Sequence, residues 1–169
     1  KGTLPGQQAY IDLLNPVSVR VLLEAVYEPH YEHYAQHFGK TLAGFFSDEP
    51  SFGNCWVGPH TDDFGMYNRR VGMPGLALPW HDALTERIGI DHFPALWYDM
   101  GDDTPGIRHA YMDTVTALYR DCFTRQLGDW CRARGVEYIG HIIEDMNAHA
   151  RLGHGGGHFF RALDGQDMG

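Results

Sequence analysis

Two short stretches of the chain pair an apolar run with adjacent carboxylates. Leu42-Ala43-Gly44-Phe45-Phe46 stops at Asp48-Glu49, with Pro50-Ser51-Phe52 following at once, and Val136 to Ile143 stops at Glu144-Asp145, with His141 just before. Two carboxylates on one rim can divide the work of glycosidic bond cleavage if one stays protonated to donate to the leaving oxygen and the other is ionised. Phe45, Phe46 and Phe52 around Glu49 predict a desolvated carboxyl with a raised pKa, the property of the acid. Glu144 is the expected second catalytic carboxylate. Asp48, His141 and Asp145 are expected to hold substrate hydroxyls, and Trp56 and Trp80 to offer flat apolar surfaces on which sugar rings stack.

Such residues act together only if the elements carrying them meet. Asn15-Pro16 opens a helix, with Asn as cap and Pro at the first helical position. Val19, Leu22, Leu23, Val26 and Tyr27 form its apolar face, Pro29 is expected to bend or split it, and Gly39 to end it. The glycine- and proline-rich stretch 50–80 reads as a long loop after a catalytic rim. His81 to Ile90 and Asp91 to Tyr98 read as short helices parted near Gly89. Thr104-Pro105 repeats the cap-and-proline start of a helix that keeps its period to Gly135, roughly 40 Å at 1.5 Å per residue. An element of that length between two apolar strands is the crossover of a βαβ unit.

The two strands are then parallel, and both acidic ends emerge on one edge of the sheet. Neighbouring strands lie about 4.8 Å apart, which would place Glu49 and Glu144 within the roughly 5 to 9.5 Å that glycosidase pairs span. His158 to Leu163 begins a short helix, and Asp167-Met168-Gly169 reads as the approach to a third strand.

Composition narrows the partners. The chain has 169 residues, 43% hydrophobic and 21% charged, which suits a single globular segment with a real core. Its net charge of -9 excludes nucleic acid and anionic membranes as expected partners, since both call for a basic surface. No apolar run approaches the ~20 residues of a membrane span, and compartment is left open. Cys55, Cys122 and Cys131 lack metal spacing; the latter two fall within a helical pattern and read as buried thiols.

Phe45-Phe46-Ser47-Asp48-Glu49-Pro50, Leu78-Pro79-Trp80, Asp129-Trp130-Cys131 with Gly135, and Gly140-His141-Ile142-Ile143-Glu144-Asp145 together resemble the barrel core of large bacterial glycoside hydrolases near the family 106 α-L-rhamnosidases. More loosely, they are similar to the (β/α)8 clan with a catalytic Glu at the end of strand four. The resemblance spans about Asn15 to Gly169. It implies an α/β fold that is a partial (β/α)8 TIM barrel, residues 1–169 forming one segment around strands four to six. It further implies Glu49 as general acid or acid/base, a carbohydrate substrate and no cofactor. The clan's Asn-Glu pair is Asp48-Glu49 here. On this reading the chain is expected to be a piece of a longer enzyme, inactive alone and prone to self-association through open barrel edges.

Two other readings remain. His141, Glu144, His149, His154 and His158 could serve a divalent-metal hydrolase, although no H-E-x-x-H spacing occurs. A non-catalytic carbohydrate-binding domain would also keep the aromatic cleft. The expected site contains no metal.

Overall fold

A computed structural model describes residues 10–52, 71–75, 77–142 and 155–169. Glu144, Asp145, Trp56, His149, His154 and Cys55, and most of the loop within 50–80, lie outside the described residues.

Helix α1 (Pro16–Leu22) starts as the sequence predicts. Asn15 sits in extended backbone, and its side chain accepts a hydrogen bond from the Val17 N–H at 2.9 Å. The helix passes through a π-helical turn (Leu23–Tyr27) into α2 (Glu28–Tyr34) and a 3-10 turn (Ala35–His37), and Gly39, at φ 69°, ends it. Pro29 does not split the helix, because the wide turn comes first. The Glu28 N–H donates to the Leu23 carbonyl, five residues back, and Pro29 then enters the first turn of α2. The hydrogen-bond ladder is re-registered just before the residue that cannot donate.

Strands β1 (Gly44–Ser47) and β2 (Glu137–Gly140) pair in parallel, Phe45 opposite Tyr138 and Phe46 opposite Ile139. Between them run α3 (Asp82–Ile88), a 3-10 turn (Ile90–Leu96), α4 (Thr104–Tyr119), a second π-helical turn (Arg120–Thr124) and α5 (Arg125–Arg132). The expected order of strand, long crossover and parallel strand is therefore present. Thr104 differs in detail, being the first helical residue rather than the cap. Its hydroxyl accepts from the Met100 N–H at 2.8 Å and donates to Asp99 at 3.3 Å, tying the preceding turn to the helix.

After α6 (Phe159–Ala162), capped by the His158 ring, the chain returns to the sheet. The Asp167 N–H donates to the Tyr138 carbonyl at 2.8 Å, and Met168 bridges Ile139 in parallel, so the expected third strand begins on the free side of β2. The outer edge of β1 has no partner strand among the described residues. The fold is thus mixed α/β around a small parallel sheet.

The sheet has two unlike faces. Phe45 and Tyr138 face the helices: Phe45 stacks on Tyr27 at 4.3 Å and meets Trp130 edge-on at 5.6 Å, while Tyr138 meets Phe123. Period-two alternation sends Phe46, Ile139 and Met168 to the other side, where Phe46 is 57% and Met168 58% exposed. Cys122 and Cys131 are free and buried in the helix layer, as expected, and burial pushes their thiols up to about 11 and about 12.

One polar knot joins the two long helices. A single Glu28 carboxylate oxygen accepts from the Trp130 indole N–H at 2.8 Å and from Arg134 at 2.7 Å, while the Arg134 guanidinium lies 4.0 Å from the Trp130 ring and 5.0 Å from that of Tyr31. Glu28→Ala leaves an indole N–H and a half-buried guanidinium without their acceptor. We expect a loss of about 2 kcal/mol, read as a lower urea midpoint with an unchanged m-value.

Tyr119 presents the opposite case. Its side chain is buried against Phe52 and Phe123, and its hydroxyl has no hydrogen-bond partner among the described residues. Tyr119→Phe removes an unsatisfied group while keeping the ring, so stability should rise by about 1 kcal/mol. A fall in thermal midpoint would show that the hydroxyl has a partner after all.

Candidate functional site

The C-terminal ends of β1 and β2 lie side by side. The His141 N–H continues the ladder to the Ser47 carbonyl at 3.1 Å, and on the helix side the Ser47 hydroxyl shares a 2.7 Å hydrogen bond with the buried Tyr138 phenol of β2. Burial pushes that phenol up to about 12, so it stays protonated at neutral pH and fixes the end of β1 from the helix side.

On the open side, Asp48 and His141 come together. The Asp48 carboxylate is 3.2 Å from His141 Nδ1, and the imidazole stands edge-on to Phe46 at 5.2 Å. Both polar side chains are more than half exposed. The pair holds the ring through Nδ1, so Nε2 is the nitrogen a ligand would meet, as donor or acceptor according to tautomer.

Glu49 follows directly and is the only non-glycine residue at positive φ among the described residues, at 42°. Holding a glutamate there costs on the order of 1 kcal/mol. Pro50 next to it is buried, and the Ser51 N–H donates to the Tyr10 hydroxyl at 3.4 Å, which anchors the far side of the turn.

Among the described residues, the apolar enclosure expected around Glu49 is not formed. Its side chain is exposed. Phe45 is spent on Tyr27 and Trp130 in the helix layer, Phe52 packs edge-on to Tyr119 at 5.8 Å, and Phe46 lies against His141. Three aromatics near Glu49 in sequence thus point to three places: strand alternation parts Phe45 from Phe46, and Phe52 lies beyond the end of β1.

Trp80 is 52% exposed and tilts against Phe93 at 5.0 Å. The preceding Pro79 carbonyl accepts from the buried Tyr111 hydroxyl of α4 at 2.8 Å, so Trp80 is positioned by the 3-10 turn that carries Phe93 and by α4 rather than by the strands. The expected site residues Glu144, Asp145 and Trp56 fall outside the described residues. Among the described residues, no group of three His, Cys, Asp or Glu side chains is placed to hold a metal ion, and His158 is engaged as the cap of α6.

Sequence reasoning overlooked Phe46 as the imidazole's partner, and Tyr10, Ser47 and Tyr138 as supports of the rim. The alternation of Phe46 with Asp48, matched to Ile139 with His141, was the signal that places these four on one face.

The class defined by this architecture is a mixed α/β unit with a parallel β-crossover-β core and a polar cluster on the C-terminal rim of its strands. No protein-family model, no curated protein and no solved structure matches the chain. No helix among the described residues is long and apolar enough to cross a membrane.

Proposed function

We propose that this chain is a segment of a glycoside hydrolase of the (β/α)8 type, with Asp48, Glu49 and His141 at its sugar-facing rim. The observation that carries the reading is Glu49 held at φ 42° directly after β1, beside the Asp48–His141 pair. Strained non-glycine backbone concentrates at functional sites, and ligands of parallel α/β folds bind at the C-terminal ends of the strands. The open apolar face of Phe46, Ile139 and Met168 fits the interior of a closed barrel. The outer edge of β1, which has no partner strand among the described residues, fits the same picture, and self-association through that edge belongs to the proposal. Glu144, which follows β2 in sequence, is the proposed second carboxylate, with Asp145, Trp56 and Trp80 as substrate contacts.

A panel of aryl glycosides, rhamnosides included, tests the reading on the chain within its natural reading frame. Release of aryl alcohol from one sugar class supports it and names the sugar. A folded protein that releases none from any member argues against it.

The exposure of Glu49 favours one second reading, a carbohydrate-binding domain without catalysis. It predicts saturable sugar binding with no cleavage in the same panel.

A further inference from the structure

Between α4 and α6, in the helix layer and thus on the side of the sheet away from Phe46, lies a groove of about 540 Å³. Its walls include His109, Met112, Asp113, Phe159, Phe160 and Arg161. Arg161 donates one hydrogen bond to Asp113 across the groove. A guanidinium carries five N–H donors in a planar fork, and the described partner of this side chain takes only one.

The Asp113 carboxyl is held below its ordinary range, first by the Arg161 hydrogen bond and then, against the opposing effect of burial, by the positive charges of Arg161, His109 and Arg87. His158 Nδ1 accepts from the Arg161 backbone N–H, which leaves Nε2–H as a further donor. The groove thus pairs one guanidinium with one carboxylate, and the Arg161 fork and the His158 ring supply the donors that an incoming anion would meet. Beside them is an apolar wall: Phe159 and Phe160 meet edge-on at 5.4 Å, and Phe160 is 78% exposed. An aromatic left so exposed next to unspent donors matches an amphiphilic anion better than a fully polar one.

We propose that this groove binds a small organic anion, a carboxylate or phosphate group on an apolar or aromatic body, its head on Arg161 and its body against Met112 and Phe160. Asp113 then acts as an internal competitor that keeps the guanidinium in place until the ligand arrives.

Calorimetric titration of the chain with phenylacetate and with phenyl phosphate tests this, with benzyl alcohol and inorganic phosphate as the two half-ligands. The expected result is saturable binding of at least one amphiphilic anion, with each half-ligand at least about tenfold weaker. Comparing the two anions identifies the preferred head group. Arg161→Gln should weaken binding at least about tenfold, whereas Asp113→Asn should tighten it by removing the competing charge. Phe160→Ala changes an exposed side chain, so it tests the apolar wall without disturbing the fold. No saturable binding of either anion overturns the proposal. So does undiminished affinity in Arg161→Gln, or affinity for the preferred anion unchanged in Phe160→Ala.

Discussion

Glu49→Gln is expected, under the proposed glycosidase function, to lower kcat by about 10³-fold on an aryl glycoside, within the range that general acid–base catalysis contributes, while KM changes little. The amide keeps the size and one acceptor oxygen of the carboxyl and loses only the proton it can donate. The side chain is exposed, so stability should stay within about 0.5 kcal/mol of the parent. The loss should depend on the leaving group. Dinitrophenyl glycosides, whose departing phenolate needs little protonation, should be affected far less than alkyl glycosides. That gradient separates a proton donor from a residue that merely shapes the turn. Equal losses across leaving groups would assign Glu49 a positioning role, and unchanged kcat throughout would remove it from the mechanism. Asp48→Asn should act differently, loosening the His141 ring and raising KM more than it lowers kcat.

The second large effect is structural. Gly128 lies within α5, where alanine normally stabilises a helix by about 1 kcal/mol. Here a methyl group would sit 1.8 Å from the Gly165 carbonyl oxygen, in the turn that leads Asp167 and Met168 onto β2. The obstacle is backbone, and Gly165 itself stands at φ 131° with Thr124 and Arg125 backbone atoms within 2.7 Å of where its own Cβ would be. Neither side can yield without pulling the third strand off the sheet. Gly128→Ala should therefore destabilise by roughly 3 kcal/mol, a fall in Tm of about 10 °C for a chain of this size. Gly106→Ala in the first turn of α4, where nothing lies within 4 Å, is the control and should leave Tm equal or higher. A stable Gly128→Ala protein would mean that the turn at Gly165 stands further from α5 than described.

Much of the local structure was readable from the chain because it rests on local rules. Asn15-Pro16 announced a capped helix and Gly39 its end, and the long period from Thr104 to Gly135 announced a crossover between two apolar strands that proved parallel. The site was readable only in part. Asp48 and His141 meet as two rim residues of adjacent parallel strands should. The surroundings of Glu49 were misread because sequence adjacency of Phe45, Phe46 and Phe52 was taken for spatial enclosure, while alternation and tertiary packing dispersed them. The Arg134 stack and the α4–α6 groove depend on residues far apart in sequence, and no local pattern announces either.

The π-helical turn at Arg120–Thr124 also explains how one face of a long helix can be ordered in strict steps of four. Tyr111, Val115, Tyr119, Phe123, Leu127 and Cys131 are all buried. With 3.6 residues per turn, each step of four overshoots by about 40°, and the accumulated error across this ladder would carry Cys131 to the far side of an unbroken α-helix from Tyr111. One wide turn holds an extra residue and sets the phase back by about 100°. The remaining drift of about 100° is the width of an ordinary apolar stripe, so the helix keeps one buried face along its length, and the arithmetic of the sequence meets the geometry of the backbone at one place.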